Sequence, residues 1–306
     1  MNKVFKNILY NVTRPWVMKY LTGNLGKVVE DDQKITCYVK RSNVKKKNYH
    51  YTIACLGVGE NREKFAEIYN LNKPIFYVID NLKFKNHRVY IFGYDNCEVI
   101  IKNCDFGSGL GIHVNGKCTL DNTNITTFPY LSIGANVLTI KNMDREQIDV
   151  VSTESKIYFG ADDRIDIIDS NIGWDNKNIN VSFLAGNEIN IINSKINGKE
   201  VECESRTINA DEKSSLTATD KVKLQIDNFN SININAPKIV LNGEETLNKK
   251  KSVVLQKITE PITLKRLELI NLLKKVKSQC EKISLEKFLE YQEESNAKPI
   301  SKISKK

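Results

Sequence analysis

Apolar and polar residues alternate in short runs through the middle of this chain, and the runs recur. Seven times between Tyr90 and Gly243 an apolar-x-apolar step is followed, six to nine residues on, by a second such step. The first steps are Tyr90/Phe92, Ile112/Val114, Leu131/Ile133, Ile157/Phe159, Val181/Phe183, Leu216/Ala218 and Ile232/Ile234. The second steps are Val99/Ile101, Cys118/Leu120, Leu138/Ile140, Ile165/Ile167, Ile189/Ile191, Val222/Leu224 and Ile239/Leu241. From Ile101 to Leu241 the mean interval is about 23 residues. Period-two alternation marks strands buried on one face. Regular recurrence of such units, at roughly 20–50 residues, marks a stacked-repeat fold.

The stretches between paired steps carry turn residues: GYDN, NG, GAN, GADD, AGN, TD and NAP. Gly, Asn and Asp accept the backbone angles of tight corners. Two residues after the second step a polar side chain recurs as Asn103, Asn122, Asn142, Asp169 and Asn193, while Ile226 and Gly243 break the column. The register persists although unit length runs from 17 to 33 residues, which favours an amide ladder over AT-rich codon usage as its origin. A third apolar side is sketched by Ile125, Ile148/Val150, Ile172, Ile196, Val201/Cys203 and Ile208. No unit is long enough to bury its own apolar face, so units must stack.

Three sides and this turn length resemble the right-handed parallel β-helix, the pectin-lyase-like architecture. The resemblance covers residues 74–243 and is one of architecture, without a particular family. The expected fold class is an all-β solenoid of about seven rungs with helical caps at both ends. Residues 1–73 form the N-terminal cap in this reading: a helix over 1–21 with Phe5, Ile8, Leu9, Val12 and Trp16 on one face, strands at Lys34–Lys40 and Tyr49–Cys55, and a helix over 60–71. Residues 244–306 form a basic linker, helices opened by Pro261 and Ser284, and a disordered tail from Ser295.

Composition narrows the setting. Hydrophobic residues make up 41% of 306, normal for a globular protein, and no run of 18 apolar residues exists to span a membrane. The first 21 residues lack an uninterrupted apolar stretch and read as a poor export signal. Seven scattered cysteines and three histidines, with no C-x-x-C, do not compose a zinc site. Cys118 holds an inward position, as a small hydrophobe would. These features point to the cytoplasm. The charge is uneven: +8 over residues 1–50, −7 over 51–248 and +8 over 249–306. Basic ends of this kind suit nucleic acid or an anionic membrane, although lysine-rich ends also keep a stackable protein soluble.

Catalysis on such a rod needs side chains from neighbouring rungs to converge outside it. Outward on the first strand stand Ile91, His113, Ser132, Tyr158, Ser182, Thr217 and Asn233; on the second, Ile100, Thr119, Thr139, Asp166, Asn190, Lys223 and Val240. Glycoside hydrolysis needs two carboxyls roughly 5–9.5 Å apart, and neither column offers acids on adjacent rungs. The third side is richer, with Asp149, Asp175, Glu200, Glu202 and Glu204. Asp162 and Asp163 at a corner are similar to the aspartate pair of polygalacturonases. Here Arg164 follows where those enzymes have Cys, no His-Gly or R-I-K element comes after, and GSGLGIH precedes the pair. GVGENREK lacks the third glycine and the βαβ setting of a phosphate loop.

The chain is therefore expected to be a non-catalytic scaffold or recognition module without cofactor, metal or catalytic residues. Its expected partner is a protein or a polysaccharide, with nucleic acid or an anionic membrane as a further possibility through the basic termini. The alternative is a carbohydrate-active lyase or hydrolase on acidic polysaccharide, with carboxylates from the third side.

Overall fold

Apolar side chains two residues apart point to one side of a strand, and in this chain each meets its equivalent on the next coil. The computed structural model describes residues 13–47, 49–56, 73–94, 97–127, 130–144, 148–150, 154–173, 178–247 and 253–256. Their strands stack in parallel into a β-solenoid of about seven turns with three faces. On the first face Ile91, Ile112, Ile133, Phe159, Phe183, Cys203, Leu224 and Leu241 form one inward column. On the second, Tyr77, Val99, Cys118, Leu138, Ile165, Ile189 and Ile208 do the same. On the third, Phe84, Phe106, Ile125 and Ile148 are in register, as are Ile172, Ile196, Leu216 and Ile234.

Like stacks on like within the core. The rings of Phe84 and Phe106 lie 5.5 Å apart, and those of Phe159 and Phe183 lie 4.9 Å apart, both nearly parallel. Burying each such side chain contributes about 1.5–3 kcal/mol. The inward cysteines behave as hydrophobes: burial pushes the Cys118 and Cys203 thiols up to about 12, so they stay protonated.

The register corrects the sequence reading in two places. Tyr90 and Phe92 were expected to point inward and Ile91 outward. Instead Val89 and Ile91 are fully buried, and Tyr90 and Phe92 face out. RVYIFG is apolar at four successive positions, so alternation alone does not choose a phase there. The second correction begins after residue 193, where one continuous strand, Lys195–Ala210, runs along all three faces. Val201/Cys203 belong to the first face and Ile208 to the second, not to the third. Leu216 and Ile234 move to the third face, while Val222/Leu224 and Ile239/Leu241 move to the first. Lys223 and Val240 therefore stand outward on the first face, and Thr217 and Asn233 on the third.

The asparagine column is a real corner. Asn81, Asn103, Asn122, Asn142, Asp169 and Asn193 all adopt left-handed backbone angles, φ between 46° and 53°, where the chain turns from the second face to the third. Asn and Asp tolerate this conformation better than other non-glycine residues. Side chains link successive coils: the amide of Asn122 donates to Asn103 at 2.9 Å, Asn142 to Asp121 at 2.7 Å, and Asn193 to Asp169 at 2.7 Å. Asp211 and Asn230 continue the corner. Ile226 never belonged to it, and Gly243 with Asn242 forms an Asn-Gly hairpin turn instead.

Beside this ladder runs a second, buried one. The hydroxyl of Ser170 accepts from the Met143 N–H at 3.2 Å, that of Ser194 from Ser170 N–H at 3.0 Å, and that of Ser214 from Ser194 N–H at 3.1 Å. Each hydroxyl also donates to a backbone carbonyl, so a bend that leaves amides out of the sheet ladders keeps them satisfied.

Parallel pairing reaches below residue 74: Ile35–Val39 pairs with Ile75–Asp80, and His50–Cys55 with Arg88–Gly93. Antiparallel strands flank the coil at both ends, Gly26–Glu30 on Ile35–Val39 at one and Val253–Gln256 on Ser231–Asn235 at the other. A helix over 13–21 adds Val17, Met18 and Leu21 to the core, whereas Trp16, expected on its apolar face, is exposed. The helices expected over 60–71 and beyond Pro261, and the tail, lie outside the described residues.

Two outcomes follow from this architecture. Asn193→Gly keeps the left-handed corner but loses the amide bond, so urea unfolding should show a loss of about 0.5–1.5 kcal/mol. Asn193→Ala adds backbone strain of about 1 kcal/mol more. The second concerns Glu30, which receives Arg14 and Lys73, the latter at 2.9 Å. Burial pushes the Glu30 carboxyl up, but hydrogen bonds from both cations outweigh it and hold the carboxyl below its ordinary 4.5. A depressed folded value means the stabilisation is present above the unfolded value and is lost as pH falls through the folded one. Stability of the Glu30→Gln variant should accordingly fall less steeply than wild type below pH ~4.5, measured by acid titration of the melting temperature.

Candidate functional site

The outward positions of the first face line a groove. In register, Tyr90, Gly111, Ser132, Tyr158, Ser182, Glu202 and Lys223 form one outward column. Phe92, His113, Gly134, Gly160, Leu184 and Glu204 form the next. Ser132 and Gly134 leave one middle rung bare, while Tyr90, Phe92 and His113 rise on one side of it and Tyr158 on the other. The result is a groove of about 510 Å³ lined by Tyr90, Phe92, His113, Tyr158, Asp162 and Glu204 over a floor of Gly111, Ser132, Gly134 and Gly160. From Tyr90 to Glu204 it crosses five strand spacings, about 24 Å.

The aromatic rings lie against this floor. The Tyr90 ring covers Gly111: a Cβ there would sit 2.9 Å from it. The Tyr158 ring covers Gly160 in the same way at 2.7 Å. Tyr90 and Phe92 stack 6.4 Å apart with planes 18° from parallel, presenting two flat faces at one end. Gly134 is the open position, since a Cβ there would come no nearer than 3.6 Å to anything. Glycine in a strand costs conformational entropy; the rings account for Gly111 and Gly160, whereas packing does not account for Gly134.

Carboxylates gather at the opposite end. Glu200, Glu202 and Glu204, expected on the third side, project from the first face on one strand. Glu202 meets Lys223 at 3.6 Å and accepts from the Ser182 hydroxyl at 3.2 Å; Glu200 meets Lys221 at 3.1 Å. Glu204 reaches the groove together with Asp162. Asp163, the other half of the corner pair, instead accepts from Asn187 at 2.7 Å. Thus the aspartate pair divides, one to the groove and one to the corner. Asp149 is in register with Thr126 on the third face, away from Glu202, and Asp175 lies outside the described residues.

On the second face Thr119, Thr139, Asp166 and Asn190 stand outward in register. Asp166 stands among amides, accepting from Asn190 at 2.8 Å, and Asn190 accepts from Asn209 at 2.9 Å. Arg164 donates to Asp166 at 3.1 Å. Glu188, one rung on, joins the network by accepting from Asn209 at 2.7 Å. Among the described residues no cluster of three metal-ligating side chains occurs, and no helix is long and apolar enough to cross a membrane.

A smaller hollow of about 410 Å³ adjoins the aromatic end and shares Tyr90, with His50, His87 and Arg88 among its walls. His50 meets Tyr90 edge-on at 5.4 Å. All three histidines of the chain therefore border the groove or this hollow. Of the three, the alternation pattern alone sets only His113 outward. Tyr90 and Phe92 were missed through the phase error, although the equal spacing of Ile91, Ile112 and Ile133 carried the signal that fixes it.

Two glycines are open to test, Gly134 on the floor and Gly116 at the bend between the first and second faces. Gly134→Val has room and gains strand propensity, so its melting temperature should equal or exceed wild type, by up to ~1 kcal/mol in stability. Gly116→Ala would bring a Cβ within 1.9 Å of the Cys97 carbonyl and should unfold at clearly lower temperature. No protein-family model, no curated protein and no solved structure matches this chain.

Proposed function

We propose that the chain is a non-catalytic recognition module that takes a polysaccharide segment along the first-face groove. One observation carries the reading: an open stretch of floor at Gly134 lies between the stacked Tyr90 and Phe92 rings on one side and the Tyr158 ring on the other. A sugar ring has apolar C–H faces and a polar rim. Flat aromatic faces suit the former, and His113, Ser132 and Asp162 suit the latter. An elongated groove along the coil axis suits an extended chain better than a compact metabolite. We also read the solenoid as a right-handed β-helix of the pectin-lyase-like type, a reading supported by its three faces and by the spacing of Ile91, Ile112 and Ile133. Cysteines buried in the core as thiols, such as Cys118 and Cys203, support a reducing, cytoplasmic setting.

A second reading, a lyase or hydrolase, is favoured by one feature: Asp162 and Glu204 both reach the groove. It requires release of reducing ends or unsaturated products from a polysaccharide, and loss of that release in Glu204→Gln.

The recognition reading is tested by titrating a panel of oligosaccharides into the full chain and into Gly134→Trp. The indole fills the floor without touching the core, so binding should fall at least about tenfold, ~1.4 kcal/mol, at unchanged melting temperature. Equal binding by Gly134→Trp, or no oligosaccharide bound by the wild type, would overturn it.

A further inference from the structure

The outward side of the second face changes character along the rod. One outward row begins with Tyr38, Val78 and Ile100 and continues in register with Thr119, Thr139 and Asp166. The row beside it begins with Val29, Thr36, Phe76 and Glu98. Polar residues such as those of the later rungs are what a solvent-facing side of a sheet carries. The first four strands instead gather Val29, Tyr38, Phe76, Val78 and Ile100 on one surface. Tyr38 is 46% exposed and Val29 43%, and the other three are half-buried. A contiguous apolar patch with a charged rim marks an interaction surface, where scattered single residues would not.

We propose that this patch is the contact between two copies of the chain, paired face to face about a two-fold axis. The choice of occupant rests on the rim, which carries both signs. Lys27 is in register with Tyr38 at one edge, and Glu98 with Phe76 at the other. Neither side chain is held in an ion pair among the described residues. An anionic bilayer would attract Lys27 and repel Glu98, whereas a second copy reverses the edges and suits both. A half-turn about an axis parallel to the strands sets Tyr38 of each copy over Val78 of the other. It also brings Lys27 above the strand of Ile100 and Glu98, which lie two residues, about 7 Å, apart and within reach of a lysine. The patch is three strand spacings wide, about 14 Å, and only two outward rows deep. That falls short of the ~800 Å² each partner gives to a standard interface, so the pair is a weak one that forms at micromolar concentration. The pairing uses the second face alone and leaves the first-face groove open.

Sedimentation velocity of the full chain, over about 1–200 µM, tests the pairing. The weight-average sedimentation coefficient should rise with concentration toward that of a dimer. Tyr38→Glu changes an exposed position and should weaken the association at least about tenfold at unchanged melting temperature. Val29→Gln serves as the second variant should Tyr38→Glu lower the melting temperature. Lys27→Glu and Glu98→Lys should each weaken the pair, and the double variant should recover most of the wild-type affinity. That recovery is a readout a merely structural role of either residue would not produce. A monomer at every concentration would overturn the inference, as would a dimer that Tyr38→Glu leaves intact or a double variant weaker than both single ones. Cosedimentation with vesicles of phosphatidylcholine and phosphatidylserine, lost in Tyr38→Glu, would give the face to a membrane and overturn it too.

Discussion

Every face of this molecule depends on one backbone constraint: a left-handed residue at the corner between the second and third faces. Asn81, Asn103, Asn122, Asn142, Asp169 and Asn193 each make the same sharp bend, and each passes its N–H to the next coil, to a backbone carbonyl in the first five and to the Asp211 carboxylate in Asn193. With the corner fixed, the strands on either side are fixed in phase, because side chains alternate with period two. A slip of one residue would carry Ile165 and Ile167 to the surface and Asp166 to the core. The buried serines beside the corner make such a slip costlier, since their hydroxyls match amides only in one register. Constraint at the corner thus becomes precision on the faces.

That precision is what makes a groove possible. A recess five strand spacings long requires small residues at equivalent places on consecutive coils, and Gly111, Ser132, Gly134 and Gly160 occupy such places because the register holds them there. The surrounding rings are held by the same means: Tyr90 and Tyr158 lie flat on glycines where any Cβ would lift them. The ionic ladder Glu200–Lys221 and Glu202–Lys223 then marks where the recess ends. Function here is a property of columns rather than of any single loop.

Much of the coil was legible in sequence because its signals are local. The asparagine corner announced itself by residue type, and the inward pairs from Ile112 to Ile191 stand on the expected faces. Two kinds of region were not legible. Where the strand is apolar on both sides, as in RVYIFG, alternation is silent and only the spacing to Ile112 and Ile133 sets the phase. Where Lys195–Ala210 turns two corners without a Gly-Asp break, the unit boundary vanishes, and Val201 and Cys203 were put one face away. Both errors fell on the first face. The groove stayed hidden for that reason: its aromatic end was turned inward and its acidic end was placed on another side.

A stack of near-identical coils also makes length a countable quantity. Adding or removing one coil between Gly111 and Tyr158 would change the groove by a single strand spacing, about 4.8 Å, and leave its cross-section as it is. Few folds allow a binding site to be lengthened without being reshaped. In this one, duplication or loss of some twenty residues would act as a ruler, selecting ligands by how many repeating units they present rather than by what each unit is.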